Sequence, residues 1–438
     1  MLKTLQNALR VKEIRKNLLF TFLMILVIRF GSELPVPGTD PSKMNDFWSK
    51  LSSGDAFNFL SAVTGGSFEN FSVLALSISP YITSSIIIQL LTIAIPKLEE
   101  LQKDGQEGRK KIQELTRYVT VGLALIQSIA MAVGFRNQNI FLVRHAWYNI
   151  PVTVITLTAG SAFLMWVGER ITEKGIGNGI SIVLLINILS GIPDDFVALY
   201  NAFMLGRSVA VMVVIGVILV AILVVIVGFT VLLNAGERRI PVQYAQKVVG
   251  RRNVGGQSTY IPVKVNTASV MPVIFASSLM SIPVMISSFF DVDASSVWGK
   301  IVMFLNSSMW FRPSVPIYTL GAVLYVVLVI AFAYFYTSIT FNPLEIADNM
   351  KKSGGFIPGI RPGKPTSDYL NNMLNHVIII GAVGLVIVAL IPMVVSGVFN
   401  ITRLSLLGTS LLIIVGVILE TLKAIEAKMV AREYDSIF

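Results

Sequence analysis

Residue types that usually carry out chemistry are scarce in this chain and are not grouped. It contains no cysteine, and its two histidines, His145 and His376, are far apart in sequence. Neither thiolate chemistry nor a histidine metal site is therefore indicated. The glycine-rich run at 175–179 lacks the spacing and strand context of a phosphate-binding loop, and we interpret it as the start of a helix. The acidic residues closest to apolar segments flank them: Glu169, Glu237, Glu420 and Glu426. We expect no enzyme activity, no metal and no cofactor.

Aliphatic and small polar residues share one apolar stretch, residues 71–95. Ile82 and Ile86 are four residues apart, so a helix would place them on one face. Thr83, Ser84, Ser85 and Gln89 lie beside them. This mixture indicates a face turned away from lipid, towards other helices or a cavity. An aliphatic constriction excludes water and ions by dewetting and binds nothing specifically, so it suits a passing substrate of variable sequence.

The apolar segment immediately before this stretch, residues 54–66, is too short to cross a bilayer, which needs about 20 residues. One interpretation is a segment that enters the membrane and turns back, closing a pathway. The other is a surface half-helix leading into an ordinary bundle helix. The residues alone leave both interpretations open.

Composition identifies the class. The 438 residues are 54% hydrophobic and 14% charged, with a mean hydropathy of +0.73, whereas soluble domains carry about 25% charged residues. The long apolar runs do not alternate in polarity, which excludes a membrane β-barrel. We predict an all-α polytopic membrane protein. Its ten predicted spans are about 18–34, 71–95, 116–134, 151–168, 178–193, 208–233, 268–290, 316–338, 375–396 and 404–422.

Basic residues orient these spans. Most of the 35 lysines and arginines fall on one side when the N-terminus is placed in the cytosol, so we expect both termini to be cytosolic. Five spans precede the loop at 194–207 and five follow it, so the two halves must be inverted relative to each other, with a pathway at their interface. The predicted segments are a cytosolic amphipathic segment (1–17), an N-terminal half (18–193), an external hinge loop (194–207), a C-terminal half (208–422) and a cytosolic tail (423–438).

Two cytosolic loops are long and show structural patterns. Residues 235–267 contain two runs rich in β-forming residues on either side of a turn region at 250–256, which predicts a β-ribbon with Arg251 and Arg252 near its tip. In the loop at 341–373, prolines and glycines constrain the backbone around Arg361. Long ordered loops usually dock a partner.

Several motifs, in order along nearly the whole chain, closely resemble the SecY family, the central subunit of the bacterial protein-conducting channel. The motifs are residues 79–91 (SPYITSSIIIQLL), 175–181 (GIGNGIS), 257–266 (QSTYIPVKVN), 272–278 (PVIFASS), 356–362 (FIPGIRP) and 408–413 (GTSLLI). The resemblance implies ten helices in two inverted five-helix halves, a clamshell with an hourglass pore.

Site residues follow from the same resemblance. The family's pore ring falls on Ile82, Ile86, Leu184, Ile188, Ile274 and Ile413. Its re-entrant plug helix falls on Phe57, Asn58, Phe59, Leu60, Ser61, Ala62, Val63, Thr64 and Gly65. Its lateral gate, between spans 2 and 7, falls on Ser85, Gln89, Thr92, Asn266 and Ile282, where we expect amides to bond across helices. Arg251, Arg252 and Arg361 correspond to loops that dock the SecA ATPase or the ribosome.

The resemblance implies a passive channel in the bacterial cytoplasmic membrane. It would translocate unfolded, signal-bearing preproteins and release transmembrane segments into the lipid bilayer, driven by SecA or the ribosome, with small SecE and SecG subunits. The alternative is a secondary active transporter with inverted repeats, but such a protein keeps a polar site near the midplane, and the predicted span centres are apolar or weakly polar. A membrane scaffold is a second alternative, and it would not need a plug or a constriction.

Overall fold

The computed structural model describes residues 11–40, 42–44, 64–137, 140–143, 146–205, 208–244, 247–249, 252–254, 258–287, 296–312, 315–399 and 409–435. Most of these residues are helical. The helices are α1 (Lys12–Glu33), α2 (Ser79–Ala94), α3 (Pro96–Lys103), α4 (Gly105–Asn137), α5 (Asn149–Lys174), α6 (Gly179–Phe203), α7 (Val209–Ala235), α8 (Met271–Ser287), α9 (Val297–Leu305), α10 (Leu320–Thr340), α11 (Pro343–Lys352), α12 (Lys364–Phe399) and α13 (Thr409–Asp435). The strands are β1 (Glu237–Tyr244), β2 (Lys247–Val249), β3 (Arg252–Val254), β4 (Ser258–Lys264) and β5 (Gly355–Phe356).

Each of the ten predicted spans overlaps one apolar helix: α1, α2, α4, α5, α6, α7, α8, α10, α12 or α13. By length and apolar character, six helices among the described residues could each cross a membrane. The pair α2 and α3, bent by 106°, would add a seventh. Helix α8 has 17 residues, and α1 and α13 carry charges near their ends. The all-α polytopic class is confirmed, whereas the count of ten spans stays a prediction.

The second span begins later than the sequence pattern suggested. Helix α2 starts at Ser79, and Pro80 lies in its first turn, where a missing N–H costs nothing. Residues 71–78 instead form turns, with positive φ at Phe71 and Ser77. The N–H of Val73 donates to the carbonyl of Leu34 at 2.8 Å, which ties these turns to the end of α1.

Three helices run further than the predicted spans, into segments that the sequence analysis placed outside them. Helix α6 passes through Pro193 and ends at Phe203, so most of the predicted hinge loop at 194–207 is helical. A proline removes one helical hydrogen bond, and packing in a bundle can sustain the helix around it. Helix α1 begins at Lys12, inside the predicted N-terminal segment, and α13 extends to Asp435, through most of the predicted tail.

The predicted ribbon is confirmed. Strands β1 and β4 pair antiparallel, with Ile240 opposite Ile261. The predicted turn region at 250–256 is wrong in part, because β2 and β3 form a second hairpin in which Val249 lies opposite Arg252. Strand β5 pairs with the other edge of β1, giving the order β4-β1-β5.

The two long loops form one packed unit. The loop at 341–373 contains α11 and β5, and α12 already begins at Lys364. Ile357, 3% exposed, packs in one cluster with Ile240 and Val242 of the ribbon. We call the side of the molecule that carries this unit the ribbon side.

A candidate conduit and its docking loops

All six residues of the predicted pore ring are buried in one hydrophobic cluster. None of them is more than 9% exposed. They come from four helices, and the set is Ile82 and Ile86 (α2), Leu184 and Ile188 (α6), Ile274 (α8) and Ile413 (α13). Residues separated by up to 331 positions are thus buried in one hydrophobic core, which also contains aromatic side chains such as Phe275 and Trp310.

The start of α6 explains how two of these side chains are placed. Asn178 caps the helix, and its Oδ1 accepts hydrogen bonds from the N–H groups of Ile180 at 3.1 Å and Ser181 at 3.4 Å. The cap fixes where the helix begins. Leu184 and Ile188 then follow four residues apart, on a common face. The interpretation of residues 175–179 as a helix start is confirmed.

A cavity of about 440 Å³ opens beside the ring. Four ring residues form part of its apolar wall: Ile82, Leu184, Ile274 and Ile413. Its polar wall includes Gln89, Asn178, Asn234, Asn266, Lys264, Glu420 and Lys423. Lys264 ends β4, so the polar wall faces the ribbon side. The cavity therefore runs from a polar mouth to an aliphatic floor.

We expected the polar side chains of the predicted gate to form hydrogen bonds between helices, but those on α2 form them within α2. Gln89 Nε2 donates to Ser85 Oγ at 3.3 Å within α2, and Gln89 Oε1 is buried without a hydrogen bond. The hydroxyl of Thr92 donates to the carbonyl of Ile88 at 2.7 Å. Helices α2 and α8 do contact each other, but none of these bonds joins them.

Asn266 reaches a residue that the sequence analysis did not single out. Its Nδ2 donates to Asn234 Oδ1 on α7 at 2.9 Å. An asparagine at the end of an otherwise apolar helix was the available signal, because a buried amide needs a partner. Ile282, the remaining gate candidate, lies half-buried on α8.

The plug candidates fall almost entirely outside the described residues. These are Phe57, Asn58, Phe59, Leu60, Ser61, Ala62 and Val63. Thr64 and Gly65 are described, and Thr64 is 1% exposed. Among the residues that the structure does describe, no group of three or more His, Asp or Glu side chains could hold a metal ion.

The three arginines predicted to dock a partner differ in how the chain presents them. Arg361 is exposed, and its carbonyl accepts a hydrogen bond from Thr366 Oγ1 at 2.9 Å. Gly359 and Gly363, at φ +83° and +104°, form the turns on either side. Arg252 lies in β3, whereas Arg251 lies outside the described residues.

The ribbon carries a further positive charge, Arg239 on β1. A hydrogen bond from Arg239 Nε to Glu237 at 2.7 Å raises the pKa of Arg239 above its usual value. Its guanidinium also lies 4.8 Å from the ring centroid of Tyr260. The side chain therefore stays charged at every physiological pH.

We expect Ile357→Ala to loosen the loop that presents Arg361. Removing a buried isoleucine side chain costs about 2–5 kcal/mol, and here the loss falls on the packing between the loop and the ribbon. Limited trypsin digestion should cut after Lys352, which ends α11 just before this loop, faster than in the unchanged chain; cleavage after Arg361 itself is blocked by Pro362. Leu344→Ala on α11 is the control, because Leu344 is 63% exposed. Equal digestion rates for the two variants would contradict this.

A family model described as SecY matches residues 72–422, most of the chain. The chain belongs to the SecY family. Curated SecY relatives agree over nearly their whole length. The protein translocase subunit SecY of Halalkalibacterium halodurans is 41% identical over 440 residues, and that of Streptomyces coelicolor is 41% identical over 446, each covering 99% of both chains.

Solved structures share the SecY fold. A protein-conducting channel structure matches with a TM-score of 0.61 at 16% identity, covering 96% of this chain and 94% of that chain. A structure described by the stabilising role of the SecY plug domain matches with a TM-score of 0.63 at 16% identity and the same coverage. Sec61 in a canine ribosome–channel complex matches with a TM-score of 0.59 at 15% identity, again with the same coverage. The fold expected from the sequence motifs is therefore confirmed as that of the SecY and Sec61 channels.

Proposed function

We propose that this member of the SecY family is a passive protein-conducting channel. It translocates unfolded secretory polypeptides across a membrane and releases transmembrane segments sideways into lipid. The observation that carries this proposal is that four aliphatic side chains, one each from α2, α6, α8 and α13, form the floor of a cavity with a polar mouth. The protein performs no reaction of its own, and partners supply the energy.

The six ring residues would form the seal. Branched aliphatic side chains exclude water and ions without offering a specific binding group. They make non-directional contacts, so they can close around a polypeptide of any sequence. Packing them against one another would seal the idle channel, and an inserted chain would separate them.

The segment from Phe57 to Gly65 would be the plug, and the seam between α2 and α8 would be the lateral gate. Ser85 and Gln89 support the gate assignment because they line the cavity from α2. Asn266 lines it from the chain segment that leads into α8.

The packed unit on the ribbon side would dock the partners. Arg251, Arg252 and Arg361 suit both ribosomal RNA phosphates and acidic protein surfaces, so the ribosome and the SecA ATPase are both proposed partners. Sec61 in a ribosome–channel complex is among the similar structures, which supports the ribosome. We also propose SecE and SecG as small subunits. We propose a bacterial cytoplasmic membrane location because the curated relatives are bacterial. The distribution of lysine and arginine supports the proposal that both termini are cytosolic.

Crosslinking to a stalled secretory chain tests this function. A photo-crosslinking residue at position 86 should capture the stalled chain, because Ile86 is buried in the ring cluster. The control position is Ile126 on α4, which is 63% exposed and would face lipid. Capture from 126 but not from 86 would show that cargo does not pass the ring.

A further inference from the structure

A short helix, α9, lies at the end of the molecule away from the ribbon side. Strand β4 leads into α8 and α10 leads into α11, so α8 and α10 have their ribbon-side ends at Met271 and Thr340. Their far ends are Ser287 and Leu320, and α9 lies between these two residues in the chain. Helix α9 packs against both helices, so it lies across their far ends.

The length of α10 indicates the depth at which α9 lies in a membrane. The 21 residues of α10, at about 1.5 Å each, extend roughly 30 Å, which is the thickness of the hydrocarbon core of a bilayer. Leu320 and Thr340 are therefore expected near the two boundaries of that core. Because α9 contacts the end that begins at Leu320, we expect it at the level where hydrocarbon meets the lipid headgroups.

Helix α9 is held in place by bonds to its neighbours. Trp298 Nε1 donates to Ser287 Oγ in the last turn of α8 at 2.8 Å. The indole N–H of Trp310, which is 1% exposed, donates to the carbonyl of Phe304 at 2.9 Å. A Cβ added at Gly321 would overlap the same carbonyl, so the last turn of α9 is pressed against the first turn of α10. Both ends of α9 are thus fixed.

One face of α9 is apolar and exposed. Val297, Trp298 and Ile301 are 78%, 47% and 42% exposed, and they lie within about 100° of one another around the helix axis. Gly299, on the opposite side of the helix, is buried. A group of large apolar side chains on one face is unfavourable in water and usually marks a surface that binds another apolar body.

The surroundings of this face favour lipid as the body that covers it. Leu320 and Val323, at the end of α10 that α9 contacts, are also 59% and 57% exposed, so the apolar surface includes the end of a predicted span. Trp298 belongs to the residue type that is enriched where membranes meet water. Lys300 is exposed beside the apolar face, and a lysine in that place can extend its ammonium group to lipid phosphates.

We propose that Val297, Trp298 and Ile301 form a lipid-binding surface, which lies in the interfacial region of the bilayer at the end away from the ribbon side. Lys300 contacts lipid phosphates from the edge of this surface. Because Trp298 also bonds the last turn of α8, the surface holds that end of α8 at the interface. This inference requires only that the chain spans a membrane, so it is independent of the proposed conducting function.

A nitroxide label tests what covers this face. The chain contains no cysteine, so Ile301→Cys gives the full chain, reconstituted into phospholipid vesicles, a single labelling site. Collisions of the label are measured with oxygen, which concentrates among acyl chains, and with a water-soluble nickel chelate. The references are Val327→Cys, 56% exposed within α10, and Lys351→Cys, exposed on α11. The oxygen-to-nickel collision ratio at 301 should lie between the two references, severalfold above that at 351.

Two results would overturn the lipid-binding surface. A ratio at 301 equal to that at 351 would mean that water covers the face. Low collision rates with both reagents would mean that protein covers it.

A second pair of variants tests whether the apolar face itself binds lipid. The label is placed at Val297→Cys, and Ile301→Glu adds a carboxylate to the same face. The oxygen-to-nickel ratio at 297 should then fall severalfold, because a charged side chain disfavours contact with acyl chains. Leu344→Glu is the control, because Leu344 is 63% exposed on α11, on the ribbon side, and should leave the ratio at 297 unchanged. If the two variants give the same ratio, the face does not bind lipid.

Discussion

Ile413→Asn is expected to make the idle channel leak ions and to let proteins with defective signal sequences through. Ile413 is 2% exposed in the ring cluster. An amide buried there without a partner costs about 1–3 kcal/mol, which corresponds to a roughly 5- to 150-fold shift of the equilibrium away from the sealed arrangement. The amide also attracts water into a constriction that excludes it by dewetting. Ion flux across vesicles and export of a signal-defective substrate measure the two effects.

Ile418→Asn on the same helix is the matched control. Ile418 is 44% exposed, so an amide at this position faces the surroundings of the helix instead of the ring. Its leak should remain at the level of the unchanged channel. Ile86→Asn should behave like Ile413→Asn, because both side chains belong to one cluster on different helices. If Ile413→Asn and Ile418→Asn leak equally, Ile413 is not part of the seal.

The sequence was most informative where local chemistry decides structure. Apolar length located the helices, since each predicted span overlaps one of them. The four-residue spacing of Ile82 and Ile86, and of Leu184 and Ile188, placed each pair on one helix face. Bringing the pairs together with Ile274 and Ile413 required the family motifs, because periodicity within a helix does not show which helices meet.

Long-range pairing and helix ends were the parts that the sequence did not reveal. Strand β5 joins the ribbon through Gln243 opposite Phe356, residues more than a hundred positions apart. A two-residue strand has no pattern of its own. Pro193 looked like the end of a helix, yet α6 continues past it, because packing outweighs the cost of one missing hydrogen bond. Asn234 became meaningful only when its hydrogen-bond partner, Asn266, was located.

Arg361→Glu is expected to weaken docking of the partner that drives export while leaving the protein inserted in the membrane. Arg361 is exposed on a loop that Ile357 and the glycine turns hold against the ribbon. Reversing its charge places a carboxylate against an acidic surface or RNA phosphates. We expect a loss of about 3 kcal/mol, or roughly 100-fold in Kd. Binding of ribosomes and of the motor ATPase to vesicles, and the export rate, are the measurements.

Lys364→Glu is the matched control for this reversal. Lys364 is also exposed, three residues further on at the start of α12. Lys364→Glu therefore changes the net charge by the same amount as Arg361→Glu, close to the same position. If docking depended on overall basic charge, both variants would lose affinity equally and both losses would shrink in high salt. If Arg361 has a specific role, Arg361→Glu should lose much more partner affinity than Lys364→Glu. The reason is that a guanidinium makes paired hydrogen bonds to carboxylate or phosphate that an ammonium does not. If Arg361→Glu exports proteins at the unchanged rate, Arg361 is not part of the docking surface.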